Sequence, residues 1–322
     1  MIAAFPTAAD FRAAHELVRE HAHHTPLLTS HSLGQAAGCH AFLKAESLQR
    51  TGSYKIRGPL NKLPRLSEAE RRAGVVCSSA GNHAQGVALA AALHGIRTVV
   101  VMAENATPSK VAATRGYGAE VVQHGSIWDE ANEKALELSR DEGLTYIHPF
   151  DDPELIVGQG TLGLEIYDDL PDVDTVVVPI GGGGLISGVA MALKALKPDV
   201  RVVGVESAGA PAMKRSVEAG RRVVLDDVTC RIDGLTVKQI GENTLEIVRR
   251  FVNDIVTLPD EAIYEALVWT LGRAKIVVEG AAAAPVAAFL EGAVPVEADE
   301  HVVCVLSGGN LNLDQLSGLR WN

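Results

Sequence analysis

Hydrophobic and polar positions along the chain fall into short apolar runs separated by longer amphipathic or alanine-rich stretches. Residues 8–22 carry apolar side chains at helical spacing, and Thr25-Pro26 stops them. Ala41 to Ala45 reads as a short strand. From Gly74 to His148 strands and helices alternate: strand 75–78, helix 83–94, strand 97–102, a helix opened by Pro108, strand 119–123, helix 127–140 and strand 145–147. A second series follows, with helix 153–168, strand 174–180, helix 185–196, strand 200–205, a largely helical stretch 260–284 and a buried strand 301–306. Short apolar strands alternating with helices predict parallel βαβ units. Two such series predict an α/β protein of two domains, with ligands at the carboxyl ends of the strands.

The turns that follow strands carry the chemistry. In Thr51-Gly52-Ser53-Tyr54-Lys55 a small-residue turn leads into a predicted helix with Ser53 as N-cap, and Lys55 lies just inside it. A lysine there opposes the helix dipole. It escapes that penalty as a neutral amine, or as an imine with an aldehyde, and then acts as a nucleophile. A solvated lysine on a helix face is the plainer reading of this stretch alone. Pro59 lacks the N–H that the Lys55 carbonyl would accept in a helix, so a kink or a short first turn is expected.

A buried strand at 175–180 runs into Gly181, Gly182, Gly183 and Gly184, and a helix starts at once with Leu185. Glycines let backbone N–H groups converge on an anion, and the helix N-terminus adds donors and dipole. A dinucleotide loop of the form Gly-x-Gly-x-x-Gly does not fit: from Gly181 the sixth position is Ile186, and from Gly182 it is Ser187. A single phosphate monoester suits the loop better. Ser78-Ser79-Ala80-Gly81-Asn82-His83 repeats the strand–turn–helix design, where Ser79 or Asn82 either caps the helix or helps to grip a carboxylate. Ser307-Gly308-Gly309-Asn310 closes the last strand with a third polar turn. An amine, an anion cradle and a polar group for a ring nitrogen together match what pyridoxal phosphate requires.

Composition narrows the class. The 322 residues carry a net charge of −11, which argues against a nucleic-acid backbone or an anionic membrane as partner. Four cysteines lie far apart without a Cys-x-x-Cys pair, and no basic-then-apolar leader opens the chain; both predict a cytoplasmic protein. His21, His23 and His24 invite a metal reading, but no Cys, Asp or Glu stands at ligand spacing, so a solvated helix end is expected.

The motifs TGSYKIRG, SSAGNHAQG, PIGGGGLISG, VEGAAAA and LSGGN, in this order and with HPFDDPELIVGQGTLGLEI between the second and third, resemble the threonine/serine dehydratases of the type II pyridoxal-phosphate fold. The resemblance implies a tryptophan-synthase-β-like architecture: a large cofactor-binding domain from 1–50 and 149–322, and a small α/β domain, 51–148, carrying the SSAGNH loop. It implies that Lys55 carries the Schiff base and moves protons at Cα. Asn82 would contact the ring hydroxyl, Gly181 to Gly184 with Leu185 the phosphate, and Ser307 the pyridine nitrogen. Ser79, Asn82 and His83 would face the substrate carboxylate. The implied reaction turns L-threonine or L-serine into 2-oxobutyrate or pyruvate plus ammonia, by a homodimer or homotetramer. Other readings are a dehydratase for another β-hydroxy amino acid such as threo-3-hydroxyaspartate, a serine racemase-like enzyme, and a pyridoxal-phosphate-binding or sensing protein.

Departures from the family pattern matter. Tyr54 replaces a usual phenylalanine, and Pro59 a common alanine. Ala80 stands where serine racemases carry a second acid/base serine, so weak racemisation is expected. Glu206 with backbone carbonyls is the implied ligand of a divalent cation (Mg, Mn or Ca), yet Ala212 occupies the place of a second metal carboxylate. The chain ends soon after Ser307, so a C-terminal regulatory domain, with feedback by isoleucine, is not expected.

Overall fold

The computed structural model describes residues 5–312; residues 313–322, the end of the expected large domain, lie outside the described residues. Among the described residues ten strands form two sheets. They are β1 (Leu27–Thr29), β2 (His40–Ala45), β3 (Val75–Ser78), β4 (Thr98–Met102), β5 (Glu120–Gln123), β6 (Thr145–Tyr146), β7 (Thr175–Pro179), β8 (Arg201–Ser207), β9 (Asp254–Leu258) and β10 (His301–Leu306). The first sheet has the order β1-β2-β10-β7-β8-β9 and the second β5-β4-β3-β6. Every pairing is parallel except the edge pair β1–β2.

The valine-rich strands β3, β4 and β7 are buried along their whole length, as parallel strands covered on both faces must be. All four strands of the second sheet come from within 51–148 and all six of the first from outside it. The chain crosses from the second sheet to the first through residues 147–152, directly before the helix Pro153–Asp169. Among the described residues no helix is long and apolar enough to cross a membrane.

Three expectations need correction. The first helix is Ala8–Arg19, shorter than 8–22: its capping box at Thr7 and Asp10 fixes the expected start, but it ends at the C-cap Glu20, so the histidines fall beyond it. His24 then pairs with Asp169 and His21 stacks edge-on with His94. The stretch 260–284 is two helices, Asp260–Arg273 and Gly280–Leu290, separated by a loop in which Lys275 adopts a left-handed φ of 62°. Ser53 precedes a single 3₁₀ turn, Tyr54–Ile56, but its hydroxyl caps nothing. Its backbone is extended and bridges to Gly308 instead. The α-helix Arg57–Lys62 follows and carries Pro59 in its first turn, in keeping with the short start expected there. Strands β1 and β9 and the helices His31–Ala37, Ala212–Ala219 and Glu242–Phe251 were not anticipated.

Candidate active site

Three strand ends meet around Lys55. The residue rides the 3₁₀ turn, which is pinned on one side by Tyr54 N–H donating to the Ser307 carbonyl at 3.1 Å, just beyond β10. On the other side the helix Asn82–Leu93, which follows β3, packs on the Lys55 backbone at Gly86: a Cβ there would stand 2.8 Å from the Lys55 carbonyl. The amine Nζ donates to the Pro149 carbonyl at 2.7 Å. The next residue, Phe150, lays its ring against Gly182, where a Cβ would come within 2.2 Å of it. One dipeptide therefore links the amine to the glycine loop after β7. This convergence is what a cofactor held at both ends demands.

The glycine loop has no room for side chains. A Cβ at Gly181 would lie 2.2 Å from the Gly234 carbonyl oxygen, one at Gly184 would lie 2.8 Å from the Phe150 carbonyl, and Gly183 has a left-handed φ of 90°. Gly184 opens the helix Gly184–Leu196, with Leu185 buried in its first turn. At such a start the first N–H groups have no helical partner, and they are the donors an anion requires. We expect Gly181→Ala to raise the cofactor dissociation constant by at least about tenfold, roughly 1.4 kcal/mol. The carbonyl facing it belongs to backbone and yields little. Titration followed by absorbance measures this, and wild-type affinity in the variant would remove the loop from the cofactor site.

Electrostatics at the centre set two groups against each other. Burial pushes the Lys55 amine down to about 8, against the partial pull of Glu279. Burial pushes the Glu279 carboxyl up to about 7, with the Asn82 amide opposing. Asn82 Nδ2 donates to both Glu279 oxygens at 2.8 and 3.0 Å, and Asn82 Oδ1 accepts from Asn310 Nδ2 at 2.8 Å. Glu279 N–H donates to the Gly308 carbonyl at 3.0 Å. Asn82, Glu279 and Asn310 thus form one polar chain beside the strand end at Ser307. Sequence reasoning quoted Glu279 within VEGAAAA without giving it a role; nothing local signals a partner nearly two hundred positions away.

The substrate-side residues divide. Ser79 Oγ accepts the Gly81 N–H at 3.1 Å, and Asn82 begins the helix without capping it. The His83 side chain turns inward: it is 3% exposed, with Nε2 donating to the Ile147 carbonyl at 3.0 Å. Burial, and then the nearby Lys55 charge, hold its imidazole near 3, so it is neutral. Its backbone N–H lies in the first turn of the helix, where N–H groups have no helical partner.

Pyridoxal phosphate fits these residues on the structure's own terms: a buried amine of depressed basicity, a side-chain-free N–H cradle one dipeptide away, and a polar strand end at Ser307. The cation does not fit. Both Glu206 oxygens accept backbone N–H groups, of Met213 and Lys214 at 2.8 Å each, so the carboxylate serves the helix Ala212–Ala219. Burial raises its pKa to about 7. Among the described residues no group of three or more His, Cys, Asp or Glu side chains is placed to hold a metal ion.

The family model described as "Pyridoxal-phosphate dependent enzyme" matches residues 18–308. The chain is 46% identical to an L-threonine ammonia-lyase of Thermotoga maritima over 310 residues, 96% of this chain and 77% of that protein. Among solved structures, it is similar to the processed form of threonine deaminase isoform 2 from Solanum lycopersicum, with a TM-score of 0.92, 36% identity, and 96% of this chain and 85% of that one covered. It is also similar to maize serine racemase, with a TM-score of 0.93, 34% identity, and 98% and 96% covered. With the match spanning most of its length and the geometry in agreement, the chain belongs to the pyridoxal-phosphate-dependent enzyme family.

Proposed function

We propose that this enzyme is an ammonia-lyase for L-threonine and L-serine, releasing 2-oxobutyrate or pyruvate and ammonia. The observation that carries the reading is the Lys55 amine, buried and held by the Pro149 carbonyl next to the ring that floors the glycine loop. Resemblance to the L-threonine ammonia-lyase supports the substrate.

Pyridoxal phosphate, when bound, supplies the electron sink that makes the Cα–H bond of an amino acid acidic. The chain's own residues do the rest. Gly181 to Gly184 and Leu185 hold the phosphate with backbone N–H groups. Ser307 would present a neutral hydroxyl to the ring nitrogen, which would not enforce ring protonation and so would favour fast loss of a β-substituent. Asn82 carries two hydrogens on Nδ2 and would turn one of them from Glu279 to the ring oxygen. Ser79, Asn82 and the first N–H groups of the helix from Asn82 bind the substrate carboxylate. Lys55, its amine freed when the substrate is in place, takes the Cα proton as general base.

Residues 51–148 act as a small domain that carries the carboxylate loop against a large domain built from 1–50 and 149–322. The working unit is a homodimer or homotetramer, and Leu48 and Val277, 53% and 50% exposed, are apolar side chains that a second copy would cover. No hydroxyl stands at position 80 to move a proton on the opposite face, so the racemase reading has less support.

The test is a product assay over a panel of β-hydroxy amino acids with a chiral readout. We expect 2-oxobutyrate from L-threonine and pyruvate from L-serine, each with an equal amount of ammonia and little D-isomer. Turnover confined to threo-3-hydroxyaspartate, or racemisation outpacing ammonia release, would replace this reading with the corresponding rival.

A further inference from the structure

The segment His148-Pro149-Phe150-Asp151-Asp152 has no role so far beyond the Pro149 carbonyl and the Phe150 ring, yet its other residues tie down the elements around them. Pro149 accepts the Lys55 amine and Phe150 floors Gly182. Asp151 accepts the N–H groups of Glu242 and Thr244 at 3.0 and 3.1 Å, fixing the start of the helix Glu242–Phe251. The Thr244 side chain in turn abuts Gly183, where a Cβ would stand 3.0 Å from it. Asp152 caps the helix Pro153–Asp169 through Leu155 N–H and pairs with Lys62 at 2.7 Å.

What shapes the segment is His148. Its Nδ1 accepts two backbone N–H groups, from Phe150 at 3.2 Å and Asp151 at 2.8 Å. Its ring meets Phe150 edge-to-face at 4.7 Å between centroids and lies 6.1 Å from Tyr146. An Nδ1 that accepts twice requires a neutral ring with its hydrogen on Nε2. Burial keeps the ring in that form by lowering its pKa, against the carboxylates of Asp151 and Asp152 and with the Lys55 charge assisting.

We propose that His148 is a positioning residue for both ends of the cofactor: by gathering these two N–H groups it holds the turn in the shape that aims Pro149 at Lys55, Phe150 at Gly182 and Asp151 at the helix behind Gly183. The inference rests on the reading of Lys55 and Gly181–Gly184 as the cofactor's two anchors. It makes amine placement and phosphate grip depend on one imidazole that touches neither.

The experiment compares full-length wild type, His148→Leu and His148→Asn. Asparagine places a carbonyl oxygen near the position of Nδ1 and keeps the acceptor; leucine removes it. Cofactor dissociation constants come from absorbance titration, and unfolding midpoints from the same proteins without cofactor. We expect His148→Leu to weaken cofactor binding by at least about tenfold while its unfolding midpoint stays near wild type. His148→Asn should remain within about threefold of wild-type affinity. Should leucine prevent folding, His148→Phe, which keeps the ring contacts without the acceptor, takes its place under the same expectation. Wild-type affinity in the acceptor-less variant overturns the proposal, and so does an asparagine variant that binds as weakly as leucine. Lys55→Ala is the control: a cofactor band that survives it overturns the site reading itself, whereas a Lys55-dependent band with no discrimination at position 148 overturns this inference alone.

Discussion

Replacing Lys55 by alanine is expected to lower ammonia release from L-threonine by at least about 10⁴-fold, the upper end of what one positioned proton-transfer group contributes. The absorption band of cofactor joined to the chain through this amine should vanish with it. The size follows from two losses at once, the covalent anchor and the base. An ordinary lysine has a pKa near 10.4, so only about one amine in a thousand is neutral at pH 7.5. Burial brings Lys55 to about 8, which makes roughly a quarter of it neutral at the same pH. In the cofactor-free protein, uptake of pyridoxal phosphate should therefore speed up with rising pH through about 8 and level off above. Glu279 opposes burial by favouring the ammonium, so Glu279→Gln should move that midpoint to lower pH. Stopped-flow mixing over a pH series reads both. A Lys55→Ala protein that deaminates threonine at the wild-type rate would leave no role for this amine.

The parts of this site visible in sequence are those whose chemistry is local. A strand of valines ending in four glycines states its purpose within ten residues, and so β7 and its loop were placed nearly to the residue. The β10 strand, 301–306, is apolar enough to be read without help. What escaped depends on distance or on burial of polar groups. Glu279 gains its meaning from Asn82 across the cleft, and His148 from backbone N–H groups that converge only once the turn has formed. His83 was expected at the substrate carboxylate because the family resemblance implied it, but the helix turns its ring inward onto Ile147. Glu206 was expected to hold a cation because the family resemblance implied it. The helix that follows uses both of its oxygens. Short edge elements such as β1, three residues long, have too few positions to show a period at all.

Arg57 was the least legible residue, since a charged side chain in a helix ordinarily means solvent. It is instead fully buried, two positions after Lys55. Its guanidinium meets Glu46 through Nε and Nη2, both at 2.8 Å, and Glu165 through Nη1 and Nη2 at 2.7 and 2.9 Å. Lys44, also fully buried, adds Glu165 at 3.0 Å and Asp169 at 3.1 Å. Burial alone would lower the Arg57 pKa, but the two carboxylates overrule it, and Glu165 is held well below the usual carboxylate range by Arg57 and Lys44. Arg57→Leu leaves Glu46 without its guanidinium and Glu165 with Lys44 alone. Removing one partner from a buried ion group typically destabilises by about 3–5 kcal/mol, which for a protein of this size amounts to a fall on the order of 10 °C in Tm. The pH dependence identifies the cause. In wild type the depressed Glu165 pKa contributes stability above its unfolded value of about 4.3, and that contribution is lost as pH falls through the folded value. In the variant Glu165 keeps Lys44 but loses Arg57, so burial weighs more heavily, its folded pKa rises and the variant retains less of that contribution. The stability gap between the two proteins should therefore narrow as pH falls from 7.5 into the carboxylate range, about pH 4, measured by urea unfolding of the cofactor-free chains. Arg57→Lys should recover part of the gap and not all, because an ammonium cannot bridge two carboxylates with paired bonds. A gap under about 1 kcal/mol at pH 7.5, the level of a surface ion pair, would mean the network does not anchor the turn that carries Lys55.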